Sequence, residues 1–224
     1  MMNRKVLTFL IFLIAFSGSV FSQKKDFGLW YGVTARHQIK KKLNVDLTGS
    51  MRTFNKASQT EEYFLEGGLQ YKLNKHFSAM ASYKIIKRLE EDSKYYYRHR
   101  LFLDLKASKS IGNFDFSARF RFQRTNKTYI NDFEDLRSQY CGRLKLKVLD
   151  DIPDFPFSPY ISYENFRPMF SDKSLIVSKN RYSAGVEIQM TRHSKVEIEY
   201  IFQRDFHPEL LDSNIIALNY TVKF

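Results

Sequence analysis

The chain has 224 residues, with 36 Lys and Arg against 24 Asp and Glu, for a net charge of +12. A mean hydropathy of −0.42 excludes a bundle of membrane-spanning helices. Hydrophobic residues at 43%, with 16% aromatic, exclude a disordered basic tail.

The first element in chain order is an address. Arg4 and Lys5 precede the apolar run Val6–Phe16, and small residues lead to Val20-Phe21-Ser22 before Gln23. This pattern predicts a Sec-type signal peptide over residues 1–22, too short to span a membrane stably. No Cys follows the cleavage point, so lipoprotein processing is not expected. Removal takes away two bases and no acids, which leaves +10 on the mature domain, residues 23–224. Cys141 is the only cysteine, so no internal disulfide can form.

The mature chain then alternates almost from end to end. In Phe114-Asp-Phe-Ser-Ala-Arg-Phe-Arg-Phe-Gln123 the phenylalanines share one parity and the polar residues the other. A period of two places them on opposite faces of a strand, whereas a helix would scatter the rings around its circumference. The pattern predicts strands near 27–39, 43–54, 62–73, 77–88, 95–107, 114–124, 136–149, 159–166, 180–191, 195–204 and 214–224. Tight turns at 40–42, 74–76 and 192–194 join some pairs, and longer links at 55–61, 89–94, 125–135, 167–179 and 205–213 join others. Pro153, Pro156 and Pro159 fall in a connection on this reading.

The strands are about 10–13 residues long, against about 5–6 in soluble sheets. Large Tyr and Phe side chains crowd the apolar parity near strand ends, as aromatic girdles require. The expected fold is all-β: one domain, a single antiparallel up-and-down transmembrane β-barrel of about ten to twelve strands with a charged lumen. The alternation also permits a soluble periplasmic barrel, with the two faces exchanged, that binds an apolar ligand. The pattern itself counts eleven strands. Bacterial barrels have even numbers, so ten or twelve are expected.

On the polar parity stand Arg52, Arg98, Arg100, Arg119, Arg121, Arg137, Arg143 and Arg181, with Glu66, Asp104, Glu164 and Glu187 against them. Arg36, Lys84, Lys145, Asp46, Asp115, Glu197 and Glu199 share it. These are the candidate lumen-lining residues. They fit a structural network of ion pairs, or a narrow passage or pocket biased toward a small anionic solute. Lipid-hydrolysing barrels resemble one another in a His-x-Ser pair, and His76-Phe77-Ser78 is the one match. It lies at a predicted turn, so no catalytic residue is expected. His37, His193 and His207 lack metal-ligand spacing, and no cofactor is implied. His99 lies on the apolar parity at girdle level, and Glu90-Glu91-Asp92 reads as solvated charge in a link. Bases alternate with apolar residues instead of forming one patch, which argues against nucleic acid.

The end, Leu218-Asn-Tyr220-Thr-Val222-Lys-Phe224, resembles the C-terminal signature that the barrel-assembly machinery recognises, with Tyr220, Val222 and Phe224 as its alternating residues. Other short segments are Asp26-Phe-Gly-Leu-Trp30, Leu69-Gln-Tyr71-Lys-Leu73 with Ala81-Ser-Tyr83, Ser158-Pro-Tyr160-Ile-Ser-Tyr-Glu164-Asn-Phe166 and Arg181-Tyr182-Ser-Ala-Gly185-Val186. In these the chain resembles the Bacteroidota-type domain-of-unknown-function family 2490. That resemblance implies a barrel in the outer membrane of a Gram-negative bacterium, with its lipids as partners, and transfers no catalytic residues.

Overall fold

Strands with one apolar and one polar face can satisfy both by closing into a ring, and this chain does so. The computed structural model describes residues 25–90, 92–128, 138–153, 155–170, 177–206 and 210–224. The expected signal peptide and Arg137, Glu91 and His207 lie outside the described residues. The strands are β1 (Lys25–Lys40), β2 (Leu43–Phe54), β3 (Gln59–Lys72), β4 (Phe77–Leu89), β5 (Tyr95–Ile111) and β6 (Phe114–Lys127). They continue as β7 (Ser138–Asp150), β8 (Phe157–Met169), β9 (Lys179–Thr191), β10 (Ser194–Asp205) and β11 (Leu211–Lys223).

Each strand pairs with its neighbour in sequence, and β1 pairs with β11 to close the barrel. Among the described residues the count is eleven, which corrects the expectation of ten or twelve. It also corrects the all-antiparallel expectation. Consecutive antiparallel strands alternate in direction, so the first and eleventh run the same way and meet in parallel, Lys25 opposite Asp212 and Arg36 opposite Lys223. Lys25 therefore lies at the rim of the longer connections, and Phe224 at the rim of the tight turns.

Exposure follows parity along each strand. On β5, Leu101, Leu103 and Leu105 are 56%, 56% and 60% exposed, while Phe102 and Asp104 between them are buried. The apolar parity thus points out of the ring and the charged parity into it. Proline placement differs from expectation: Pro153 and Pro156 connect β7 to β8, but Pro159 lies inside β8. It pairs with Val186 of β9, whereas β8 pairs with β7 only from Tyr160 onward. The missing N–H therefore faces no partner strand.

The segment Asp26–Trp30 organises the start of the ring. Asn55, Lys56 and Ala57 all have positive φ (54°, 57° and 63°), a costly conformation for residues with a Cβ. Asp26 accepts the backbone N–H groups of Asn55 (3.1 Å) and Lys56 (3.0 Å), which holds this turn. Two residues on, a Cβ at Gly28 would stand 2.5 Å from the Thr53 carbonyl oxygen, which is backbone and has little freedom to yield. A Cβ at Gly49 would meet nothing within 4 Å. Gly28→Ala is therefore expected to destabilise the barrel by about 1–3 kcal/mol. Gly49→Ala is expected to be neutral or slightly stabilising; urea-unfolding midpoints of the two variants check the contrast.

Candidate functional site

The interior charges pair first across neighbouring strands, where register puts them directly opposite. Arg36 holds Asp46 with two bonds (2.7 and 2.5 Å), and Arg121 holds Asp104 with two at 2.7 Å. Arg52 meets Glu62 at 2.7 Å, and Lys84 meets Glu66 at 2.8 Å. Paired charges cost far less to bury than isolated ones, and the two-toothed arginine pairs also fix geometry.

A second set of pairs skips strands. Lys147 of β7 reaches Glu187 of β9 (2.7 Å) and Glu197 of β10 (3.3 Å); Glu187 is also held from the adjacent β10 by Lys195 at 2.6 Å. Lys145 of β7 stands 3.8 Å from Glu199 of β10. Strands β8 and β9 separate β7 from β10 in the sheet. These contacts therefore cross the enclosed space.

Glu164 of β8 is the hub of this set. It is 5% exposed. Its Oε1 accepts from Arg119 of β6 (2.9 Å) and Arg143 of β7 (2.8 Å), and Arg181 of β9 lies 3.7 Å from Oε2. Four expected residues are thus brought together. Arg98 pairs with Glu90, so that acid is not the solvated charge expected of it. Arg100 donates through Nε to the Thr125 hydroxyl at 2.9 Å. Asp115 lies exposed near the tight-turn rim.

Glu62, Arg88, Lys147, Lys179, Lys195 and Asp205 also join the network, and parity alone would have found most of them. Parity also marks the aromatic residues that stand among the charges. Arg52 lies over Trp30 (4.1 Å from the ring centre), with Arg181 at 4.8 Å from the same ring. Lys84 lies over Phe64 (3.6 Å), Arg121 over Phe102 (3.7 Å), Lys147 over Tyr160 (3.5 Å) and Arg143 over Phe166 (4.4 Å). Cations stacked on rings keep part of the stabilisation that water would otherwise supply.

Trp30 borders two cavities. One, of about 490 Å³, opens near the long-connection rim between Asp26 and Leu210. Its two bases are matched, Arg88 with Glu61 at 2.6 Å and Lys179 with Asp205 at 2.8 Å, and the third acid, Asp26, accepts the backbone N–H groups of Asn55 and Lys56. The other, of about 270 Å³, is lined by Arg119, Arg143, Arg181, Lys145, Glu164 and Glu199, among others.

Elsewhere, the His76 ring nitrogen Nδ1 lies 3.0 Å from the Ser108 carbonyl oxygen. His99, on the outward parity, bonds the Tyr83 hydroxyl at 2.6 Å. Among the described residues no cluster of His, Cys, Asp or Glu is arranged to hold a metal. Tyr220 and Val222 lie at the end of β11, and Phe224 follows it at the tight-turn rim, where its N–H donates to Arg36 O at 2.9 Å.

A family model described as "Protein of unknown function (DUF2490)" matches residues 27–213. Among solved structures, the NanC porin is similar at 13% identity and a TM-score of 0.51, over 83% of this chain and 90% of that one. The beta domain of the Bordetella autotransporter Brka is similar at 11% identity and a TM-score of 0.48, over 82% of each chain. The translocator domain of the autotransporter NalP from Neisseria meningitidis follows at 10% identity and 0.39, over 74% and 70%. The NanC match is a likeness of fold. No curated protein matches the chain.

Three guanidinium groups converge on Glu164, so losing the acid strands more charge than losing any one base. Glu164→Gln is expected to cost about 3–5 kcal/mol, the cost of breaking a buried pair and leaving its partner charged. Arg143→Gln is expected to cost clearly less. Unfolding free energies of the two single variants and the double variant check the order, and the double should lose less than the sum.

Proposed function

The chain belongs to the family of proteins of unknown function DUF2490, and we propose that it is an integral outer-membrane β-barrel that holds small solutes in a partitioned interior. It does not form a wide diffusion pore. The observation that carries this reading is the inversion of faces. A soluble barrel turns its apolar side chains inward, but here Leu65, Leu101, Leu103, Leu105, Tyr63 and Tyr97 face out and most of the charges face in. Apolar surface extending around the whole ring needs a hydrocarbon surrounding. The closed ring leaves no strand edge without a backbone partner, as a lipid environment demands.

Tyr63, Tyr95, Tyr97 and Tyr182 stand outward toward the long-connection rim, in keeping with an interfacial girdle. Export through the signal peptide at residues 1–22, and assembly through recognition of Tyr220, Val222 and Phe224, belong to the same reading. An eleven-strand ring lies between the eight-strand type that side chains fill and the porins of about 16–18 strands. With Lys147, Lys145 and Glu164 reaching across it, little continuous bore remains for free diffusion. The role is non-enzymatic on this reading, because the one His-x-Ser pair, His76 and Ser78, lies at the tight turn between β3 and β4.

The protein is expected to fractionate with outer membranes and to migrate faster unheated than boiled in detergent gels. Recovery as a soluble periplasmic protein would overturn the reading. Leu103, midway along β5, supplies a second check: Leu103→Arg is expected to destabilise the folded protein in vesicles by about 2–4 kcal/mol. On the water-exposed surface of a soluble barrel the same change would cost little. Phospholipid-ester hydrolysis that Ser78→Ala abolishes would refute the non-enzymatic part.

A further inference from the structure

The smaller cavity has an unbalanced wall, and the imbalance identifies what it takes. Lys147 and Lys195 are matched by Glu187 and Glu197, and Arg52 is matched by Glu62. Asp104 lies 4.0 Å from Arg119 but is already held by both arms of Arg121. That leaves Arg119, Arg143, Arg181 and Lys145 with only Glu164 and Glu199 between them, a surplus of two positive charges around about 270 Å³.

The hydrogen bonding is also incomplete. The Nε atoms of Arg119 and Arg143 are buried and have no acceptor within the protein. A buried donor left unmade costs free energy, and two uncompensated charges cost more. Water can accept a hydrogen bond but brings no charge. An anion answers both needs. The rest of the wall is mixed: Trp30, Phe64, Ile201 and Ala217 supply apolar surface, and Thr48, Ser50, Ser183 and Asn219 supply uncharged polar groups.

The geometry points to a binding site for a small organic dianion, a dicarboxylate or phosphate ester. Its charged groups sit on Arg119 and Arg143 and its carbon skeleton lies toward Trp30. Glu164 sets an upper limit on affinity, because it competes for the same two guanidinium groups. Arg181 stacks on Trp30 and also approaches Glu164, so occupancy of the site alters the surroundings of that ring. The inference deepens the solute-holding role proposed above and rests on its closed interior.

Trp30 is the only tryptophan of the chain, which supplies the readout. The full-length protein, folded in detergent, is titrated with succinate and with inorganic phosphate at constant ionic strength. Trp30 fluorescence is followed, with equilibrium dialysis of labelled phosphate as an independent measure. Saturable binding is expected, with acetate at least tenfold weaker. Arg119→Gln and Arg143→Gln are each expected to weaken it about tenfold or more. Ser183→Leu, which fills the cavity wall without changing charge, should also lose it. Arg204→Gln, on the outer face, should bind as the unaltered protein does. Unsaturable responses, or equal responses in the arginine variants and the unaltered protein, would reduce the effect to screening and overturn the site. A membrane-borne barrel without saturable binding refutes this inference alone. A soluble protein that still binds refutes only the membrane reading.

Discussion

Each strand carries a row of N–H and C=O groups along both edges, and closure gives those edges a partner strand on either side. Once the ring is shut, the period-two pattern allows two placements of the residues, and the chemistry of each parity selects one. The outward rows are mostly Leu, Phe and Tyr, and the inward rows hold most of the Arg, Lys, Glu and Asp, with a few rings such as Phe102 and Tyr160 among them. A shift of one residue in register on any strand would put charges on the outside and open the network within. Closure and parity therefore position the interior before any single contact is considered.

The interior then solves an electrostatic problem in two layers. Neighbouring strands supply direct pairs such as Arg36 with Asp46, whose strength comes from bidentate geometry. Contacts across the ring, such as Lys147 with Glu197, tie together strands that share no backbone bonds. Aromatic faces fill the gaps: Phe102 under Arg121 and Phe166 under Arg143 are apolar bodies that still favour a cation. Around Glu164 the matching falls short, and it falls short toward positive charge.

Much of this was legible in the residues. Phe114–Gln123 reads as a strand without help, and it forms β6. The eleven strands were countable, and the lumen side of each followed from parity. The ring closure was not legible, because nothing in Lys25–Lys40 says that its second partner lies in Leu211–Lys223. Strand ends moved for local reasons. Strand β5 continues through Lys109 to Ile111 because Gly112, at a φ of 60°, turns the chain there. The pairing of charges depended on register and ring curvature. Glu164 could be placed on the inward face from its neighbours, but its three arginines come from three different strands. Trp30 was visible only as part of a short motif, and its place between Arg52 and Arg181 needed the fold.

The parallel junction also bears on the order of events during folding. Ten of the pairings join segments adjacent in sequence, each of which can zip from its own connection. The remaining one joins Lys25 to Asp212 across almost the whole described chain. Parallel pairing is slightly weaker per residue than antiparallel, and long-range contacts form slowly because the ends must first meet. The ring is therefore completed last, at one seam. Until β11 arrives, β1 and the growing sheet remain a curved ribbon with two live edges, the stage at which the chain most needs a surface to lean against.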